Sequence, residues 1–279
     1  MDYRFSVLLS VYYKEGPDYL KEALKSITDN QLLKPNEIVL VKDGPLTKEL
    51  DKVIDEYLEK YPKLFKIVAL EKNFGLGKAL NIGLENCSYE LVARMDGDDI
   101  AKSERFLEEI NTFKKDPELT IVGSWVDEFI EKDGIKESKT IRKVPETSEE
   151  IYEKLKFICA FNHPTVMYKK SKVQEVGSYV QDFALEDYYL WIRLAIAGNK
   201  MYNIPKSLLF FRTTEDTARR RGGWKLFKSD IKFQKLLYKI GYLNLYEYIR
   251  NSVAYGVYRL IPSSLRGYLQ KTKLREKKK

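Results

Sequence analysis

The sequence predicts an α/β fold: a Rossmann-like, mostly parallel mixed sheet flanked by helices, with a basic helical extension at the C-terminal end. Three observations predict it. Near-continuous apolar runs at residues 5–12, 37–41, 65–70 and 89–95 are of the kind that parallel sheets bury on both faces. An amphipathic segment separates each run from the next, as in βαβ units with right-handed crossovers. The fourth run then ends in Met95-Asp96-Gly97-Asp98-Asp99, three carboxylates within four residues. In open α/β sheets that position, the carboxyl end of a strand, faces the ligand crevice.

The elements follow in order. The first strand, 5–12, gives way to a helix opened by Pro17, with Leu20, Ala23, Leu24 and Ile27 at helical spacing. Pro35 and Asn36 break that helix before the second strand, which closes in the turn Lys42-Asp43-Gly44-Pro45. A helix from Thr47 to Lys60 presents Leu50, Val53, Ile54, Tyr57 and Leu58 inward. The third strand, 65–70, leads through Gly75 into a helix ending near Asn86, and the fourth strand delivers the acidic cluster. After Lys102 the rhythm changes. The pattern predicts a helix at 103–114, a strand at 119–125, a hairpin through Lys132-Asp133-Gly134-Ile135, a short helix at 148–155, a strand at 165–168, a helix at 186–197 and two β segments at about 200–204 and 207–212. Residues 1–223 therefore read as one domain on one sheet, with a nucleotide-binding half over about 1–100 and an acceptor half over about 101–223. Residues 224–279 form a tail.

Composition narrows the classes. A chain that is 44% hydrophobic and 32% charged suits a packed core rather than disorder. Two cysteines, Cys87 and Cys159, cannot build a disulfide framework, and neither has metal-ligand spacing, so a reduced, cytosolic setting is expected. The start runs straight into a strand and leaves no room for a signal peptide, and no apolar stretch reaches the roughly 18 residues of a membrane span. The net charge of +8 is uneven: 224–279 carry 14 Lys or Arg against 3 acids, whereas the remainder is slightly acidic. That division points to an acidic partner at the tail and against a nucleic-acid binder. Apolar and basic residues alternate at helical spacing over 225–260, and seven tyrosines fall between 238 and 268. Such a tail suits peripheral binding to an anionic membrane surface, or equally a pair of packing helices with a solvated basic face.

Six constellations bear on possible chemistry. Asp96, Asp98 and Asp99 repel one another unless a cation lies between them. Oxygen-only ligands favour Mg²⁺ or Mn²⁺, although a turn with Asp98 or Asp99 as a helix cap uses the same residues. Asp43, at the end of the second strand, is placed either to accept a base N–H or simply to form its turn. Gly75-Leu76-Gly77-Lys78-Ala79 resembles two phosphate motifs without completing either, but a helix N-terminus with Lys78 in its first turn attracts anions. Glu186 and Asp187 stand at a helix start, where the dipole favours acids and where a carboxylate could also serve as a general base. His163 is the single histidine, which excludes a His-rich zinc site. Arg219-Arg220-Arg221-Gly222-Gly223 is a basic, glycine-hinged loop able to close over a diphosphate.

Taken together and in this order, these motifs resemble those of the family 2 glycosyltransferases, which have the GT-A fold, over roughly residues 4–223. The strand ending at Ser10 and Tyr12 is similar to the family's first strand, which ends near the nucleobase. Val41-Lys42-Asp43-Gly44-Pro45 resembles Val-Asp-Asp-Gly-Ser, Asn73 to Gly83 resembles Asn-x-Gly…Ala-Arg-Asn-x-Gly, and Met95 to Asp99 resembles the DxD motif. Glu186-Asp187 with Leu190-Trp191 resembles Glu-Asp…Leu-Trp, and Asn162-His163-Pro164-Thr165 with the Arg-Arg-Gly loop resembles a branch that builds bacterial exopolysaccharides and O-antigens, amylovoran-type enzymes included. Lys42, Pro45 and Lys78 depart from the pattern.

The resemblance implies an inverting, metal-dependent transferase that moves a hexose from a nucleotide sugar, a UDP-hexose, to a saccharide or lipid-diphosphate-linked saccharide at the cytoplasmic face of the membrane. It implies Asp187 as the catalytic base, Asp98 as the ligand of Mn²⁺ or Mg²⁺, and Ser10, Tyr12, Asp43, Lys78 and Asp96 around the nucleotide, Asp43 at uracil and Asp96 at the ribose. Glu186, His163, Arg219, Arg220 and Arg221 are implied as acceptor or phosphate contacts. Two competing readings are a haloacid-dehalogenase-like phosphatase, whose nucleophile motif Asp96-Gly97-Asp98 mimics, and a non-catalytic nucleotide- or glycan-binding module.

Overall fold

The computed structural model describes residues 2–132, 135–180, 185–213, 222–262, 265–266 and 276–277. The first half holds β1 (Phe5–Val11), α1 (Pro17–Ile27), β2 (Glu37–Lys42), α2 (Lys48–Lys60), β3 (Phe65–Ala69), α3 (Leu76–Asn86) and β4 (Leu91–Asp96). The second holds β5 (Ile100–Ala101), α4 (Arg105–Lys115), β6 (Ile121–Lys132), β7 (Ile135–Arg142), α5 (Ser148–Leu155), a 3-10 turn (His163–Thr165), β8 (Met167–Lys169), α6 (Lys170–Glu175), α7 (Glu186–Ile196) and β9 (Met201–Arg212). The tail contributes α8 (Trp224–Lys239), α9 (Leu245–Leu260) and the two-residue β10 (Glu276–Lys277).

One sheet joins them in the order β10-β7-β6-β8-β4-β1-β2-β3, with β9 beside β6 and β5 beside β9. Pairings among β1, β2, β3 and β4 are parallel, whereas β8 runs antiparallel to both β4 and β6. Alternate residues of the central strands feed two cores. Val7, Leu9, Val11, Ala93 and Met95 pack with α1, α2 and α4 on one face. Leu8, Val39, Val41 and Val92 pack with α3, α5, α7 and α8 on the other.

The differences from the sequence expectation have local causes. The strand expected at 165–168 begins only at Met167, because Pro164 and Thr165 wind into the 3-10 turn, closed by Thr165 N donating to Asn162 O at 2.9 Å. The two β segments expected after 200 are one strand, β9. Its register against β6 slips between Ile204 and Ser207, where Pro205 has no N–H to give to a ladder. The short elements β5 and α6 have no counterpart in the expectation. In the tail, α8 buries Phe233 and Leu237 in the second core, and α9 lies along α8, with Arg259 Nε 2.6 Å from Asp230 and Asn251 Nδ2 donating to Gln234 at 2.9 Å.

Candidate active site

Strand register gathers the residues expected around the nucleotide. Ser10 lies opposite Val41 on β2 and Asp96 on β4, and Asp43 N donates to Val11 O at 2.8 Å. Ser10, Asp43 and Asp96 thus share the carboxyl edge of three adjacent parallel strands, with Tyr12 exposed at the rim. The Asp43 carboxylate is only 3% exposed. Its two oxygens accept from Phe74 N at 2.8 Å and Gly75 N at 3.1 Å, so it builds the turn into α3. Gly44 takes φ +89, and a Cβ there would lie 2.6 Å from Asn73 N, so only glycine allows the two turns to touch. Lys78, exposed in the first turn of α3, sets its Nζ 3.8 Å from the centre of the Phe74 ring.

The acidic cluster is tight. Asp96, Asp98 and Asp99 each offer a carboxylate oxygen, all within 4.8 Å of one another. Burial and the neighbouring Asp96 push Asp98 up to about 6. Asp99 is buried and raised well above the usual carboxylate range, first by burial and then by Asp96 and Asp98. Asp99 Oδ1 accepts from Arg212 N at 2.8 Å, but the buried Oδ2 has no hydrogen-bond partner. An orphaned buried oxygen in an all-oxygen donor set fits a hard divalent cation. The alternative of a helix cap fails for both Asp98 and Asp99: β5 follows directly, and α4 starts only at Arg105, behind Glu104.

Two residues that the sequence reading missed brace this turn. Arg212 Nε donates to Asp98 O at 2.8 Å while its guanidinium pairs with Glu22 and Glu131. Glu15, from the β1–α1 turn, sits over Gly97, where a Cβ would be 3.5 Å from its Oε2. Burial first, and then Asp98, raise Glu15 to about 7. Nothing local marks a turn glutamate as special. Arg212, at the end of an apolar strand, carried a faint signal.

The residues expected around the acceptor lie along the second core. Residues alternate across a strand, so Val92, Arg94 and Asp96 all point to the face that α3 and α7 cover. Arg94 is 1% exposed and ion-pairs with Asp96 Oδ1. Asp187 occupies the first turn of α7, raised by burial, with backbone hydrogen bonding from Tyr188 and the charge of Arg94 opposing the rise. Glu186, beside it, is also raised by burial. His163 Nε2 is 3.1 Å from the Tyr179 hydroxyl, and its ring meets Trp191 edge-on at 6.0 Å. Burial, then Arg94, lowers His163 well below its usual value, which favours the neutral ring. Arg219, Arg220 and Arg221 lie outside the described residues. The sequence signal for Arg94 is a cation two residues before Asp96 in the apolar stretch 91–95.

Comparison with known proteins agrees with this geometry. The family model described as Glycosyl transferase family 2 matches residues 6–177. The chain is 39% identical over 272 residues to the UDP-Gal:alpha-D-GlcNAc-diphosphoundecaprenol beta-1,3-galactosyltransferase of Escherichia coli, covering 98% of this chain and 97% of that one. It is 39% identical over 232 residues to the amylovoran biosynthesis glycosyltransferase AmsE of Erwinia amylovora, covering 83% and 85%. Among solved structures, S. aureus TarS 1-349 in complex with UDP-GlcNAc superposes with a TM-score of 0.65 at 19% identity, over 97% of this chain and 76% of that one. The mannosyltransferase PcManGT from Pyrobaculum calidifontis, in complex with GDP-Man and Mn²⁺, gives 0.61 at 17% identity, over 97% and 81%. These two likenesses bear on the fold, and the expected GT-A architecture is borne out by them.

Proposed function

The chain belongs to glycosyl transferase family 2, and from that membership we propose that it is an inverting hexosyltransferase that moves galactose from UDP-galactose to a GlcNAc carried on a lipid diphosphate. One observation carries the reading. Asp96, Asp98 and Asp99 converge at the end of β4 with one buried oxygen of Asp99 unpartnered, and Asp96 is ion-paired to the buried Arg94 on the face of β4 whose core α7 covers, Asp187 standing in the first turn of α7. The 39% identical relative named for that reaction supports the choice of donor and acceptor.

The residues divide the work. The Ser10, Asp43 and Asp96 edge receives the nucleoside, with Asp96 turned toward the ribose and Lys78 near the phosphates. Asp98, with Asp96 and Asp99 beside it, would hold Mn²⁺ or Mg²⁺. When bound, such an ion neutralises charge on the diphosphate leaving group. Asp187 takes the proton of the acceptor hydroxyl. That oxygen forms its bond to the anomeric carbon on the face opposite UDP, the anomeric carbon–phosphate oxygen bond breaks, and the configuration inverts in one displacement. Burial raises Asp187 above the usual carboxylate range, and a carboxylate with a raised pKa is the stronger base in its ionised form. Glu186 and His163 line the acceptor side, and the Arg219–Arg221 loop is assigned to the departing diphosphate.

The acceptor's lipid implies a membrane surface. No helix among the described residues is long and apolar enough to cross a bilayer, so the contact is assigned to the tail and is peripheral, on the cytoplasmic face. Along α9, Tyr246, Ile249, Val253, Val257 and Leu260 form an exposed apolar stripe, and α8 carries the exposed lysines Lys225, Lys228, Lys232, Lys235 and Lys239. The test of the whole reading is UDP release from UDP-galactose with Mn²⁺ and a synthetic GlcNAc-diphospholipid. Release that depends on both additions is expected. A protein that binds UDP but releases none over a panel of sugar donors and acceptors would instead be a binding module.

A further inference from the structure

The end of α5 is held from two sides. A helix end leaves its last carbonyls without intrahelical partners, and here side chains take three successive ones. Leu155 O accepts from the Tyr188 hydroxyl of α7 at 2.6 Å. Lys156 O accepts from Asn251 Nδ2 of α9 at 2.7 Å, and Phe157 O from the Tyr255 hydroxyl of α9 at 2.9 Å. Asn251 is fully buried, and the Tyr255 ring meets the Phe157 ring at 6.4 Å.

Both ends of this contact lead to the site. Tyr188 follows Asp187 in the first turn of α7, and its ring lies 5.3 Å from that of Phe233 on α8, with Tyr189 5.8 Å from the same ring. Beyond Phe157 the chain reaches Asn162, whose amide donates to Ser124 O at 2.8 Å, and then His163. The tail therefore touches the helix that carries Asp187 through Phe233, and the segment that leads to His163 through Asn251 and Tyr255.

The other face of α9 is exposed. At 3.6 residues per turn, Asn251 and Tyr255 lie across the helix from Ile249, Val253 and Val257. Residues 224–279 carry 14 Lys or Arg against 3 acids, a charge that complements an anionic lipid surface. One helix thus grips the acceptor segment on one side and offers the apolar stripe on the other.

We propose that Asn251 and Tyr255 are positioning residues that fix the acceptor segment to the lipid-facing helix, so that transfer is selective for a saccharide presented at a membrane surface. The assignment rests on the transferase and peripheral-binding readings above.

The experiment uses the full-length chain, Tyr255→Phe, and the double variant Asn251→Ala, Tyr255→Phe, with circular dichroism confirming the fold. UDP release from UDP-galactose with Mn²⁺ is followed on two acceptors. One is a GlcNAc-diphospholipid in phosphatidylglycerol vesicles, the other a GlcNAc-diphosphate whose short alkyl chain leaves it in water. The wild type favours the vesicle-borne acceptor. The double variant loses about tenfold in kcat/KM on that acceptor and less than about twofold on the other, since only the approach of the lipid-borne hydroxyl is misdirected. UDP affinity and sedimentation with vesicles stay at wild-type values. A tie that is only structural would lower both acceptors alike, or the melting temperature alone, and leave their ratio unchanged. A folded double variant with the wild-type ratio therefore overturns the proposal, and so does one that no longer sediments with vesicles. Tyr255→Phe removes one hydroxyl from a half-buried ring. It shifts the ratio in the same direction by a smaller factor, and it decides the matter if the double variant fails to fold. Wild-type protein that releases no UDP with either acceptor overturns the transferase reading, and this role with it. Active wild type that turns over both acceptors equally overturns the positioning role and leaves the transferase reading standing.

Discussion

Asn81 and Tyr179, 98 residues apart, exchange two hydrogen bonds: Asn81 Nδ2 donates to Tyr179 O at 2.7 Å, and Tyr179 N donates to Asn81 Oδ1 at 2.8 Å. One side chain thus satisfies both backbone groups of a buried residue and ties α3, which carries Lys78, to the loop that meets His163. Asn81→Ala leaves a buried donor and acceptor unpaired and should cost about 1–3 kcal/mol, read as a lower urea midpoint at unchanged slope. Asn81→Asp, which still accepts from Tyr179 N but cannot donate, should fall between the two. A wild-type midpoint for the alanine variant would show that the loop is held elsewhere.

Asp43 is expected to couple stability to nucleotide affinity. Its carboxylate accepts from Phe74 N and Gly75 N, so Asp43→Ala frees the turn that opens α3, with a loss of about 1–3 kcal/mol. Asp43→Asn keeps one acceptor oxygen and should lose less stability, yet still weaken UDP in calorimetry. Unchanged UDP affinity in both variants would confine Asp43 to the turn.

Asp187→Asn removes the proposed proton acceptor while preserving size. Turnover should drop by about 10²–10⁴, the usual contribution of a general base, while UDP affinity stays within about twofold of wild type. A variant that turns over at a near-normal rate would transfer the base role to another group, with Glu186 the neighbour to test first.

The acidic cluster predicts opposite pH dependences for stability and metal affinity. Asp98, raised to about 6, and Glu15, raised to about 7, keep protons in the folded chain that the unfolded chain releases between about pH 4 and 5. Stability from these groups is therefore full below about pH 4 and is lost as pH rises through 6 to 7 in metal-free protein. Metal binding needs the deprotonated form, so Mn²⁺ affinity should weaken by up to about tenfold per pH unit below 6 and level off above 7. Melting scans with and without Mn²⁺ at pH 5.5 and 7.5 should show a larger metal-induced rise at 7.5. An equal rise at both would remove Asp98 from the metal's ligands.

The legible parts of this fold are those where one face of one element decides its place. Leu20, Ala23, Leu24 and Ile27 announce the buried side of α1, and the alternation within β1 serves both cores. The order Asp43, Lys78, Asp98, Asp187 was equally readable, since each stands at a strand end or a helix start. What escaped depends on contacts across the chain. Glu15 acquires meaning only because the β1–α1 turn folds over Gly97, Arg212 only because β9 returns beside β6, and Asn81 only because its partner is a main chain 98 residues away. Pro205 hid a single strand as two, because a bulge and a break look alike in a periodicity pattern.

The tail offers the last prediction, and its packing dictates how to test it. Removing everything after Gly223 would strip Phe233 and Leu237 from the second core and confuse unfolding with loss of binding. Tyr246 and Val253 are 71% and 61% exposed, and with Ile249, Val257 and Leu260 they recur every three or four residues along α9. Charges placed there touch no core contact, so the double variant Ile249→Glu, Val257→Glu should keep its melting temperature, as exposed substitutions usually shift stability by less than about 0.5 kcal/mol. It should nonetheless lose sedimentation with phosphatidylglycerol vesicles, because the apolar stripe supplies insertion while the lysines supply about 1 kcal/mol each near an anionic surface. Raised salt should weaken the wild type through the lysines alone, leaving the residual apolar term that the double variant lacks. Wild-type protein that ignores such vesicles at low salt, or a double variant that still sediments with them, would make the stripe a surface for another protein rather than for lipid.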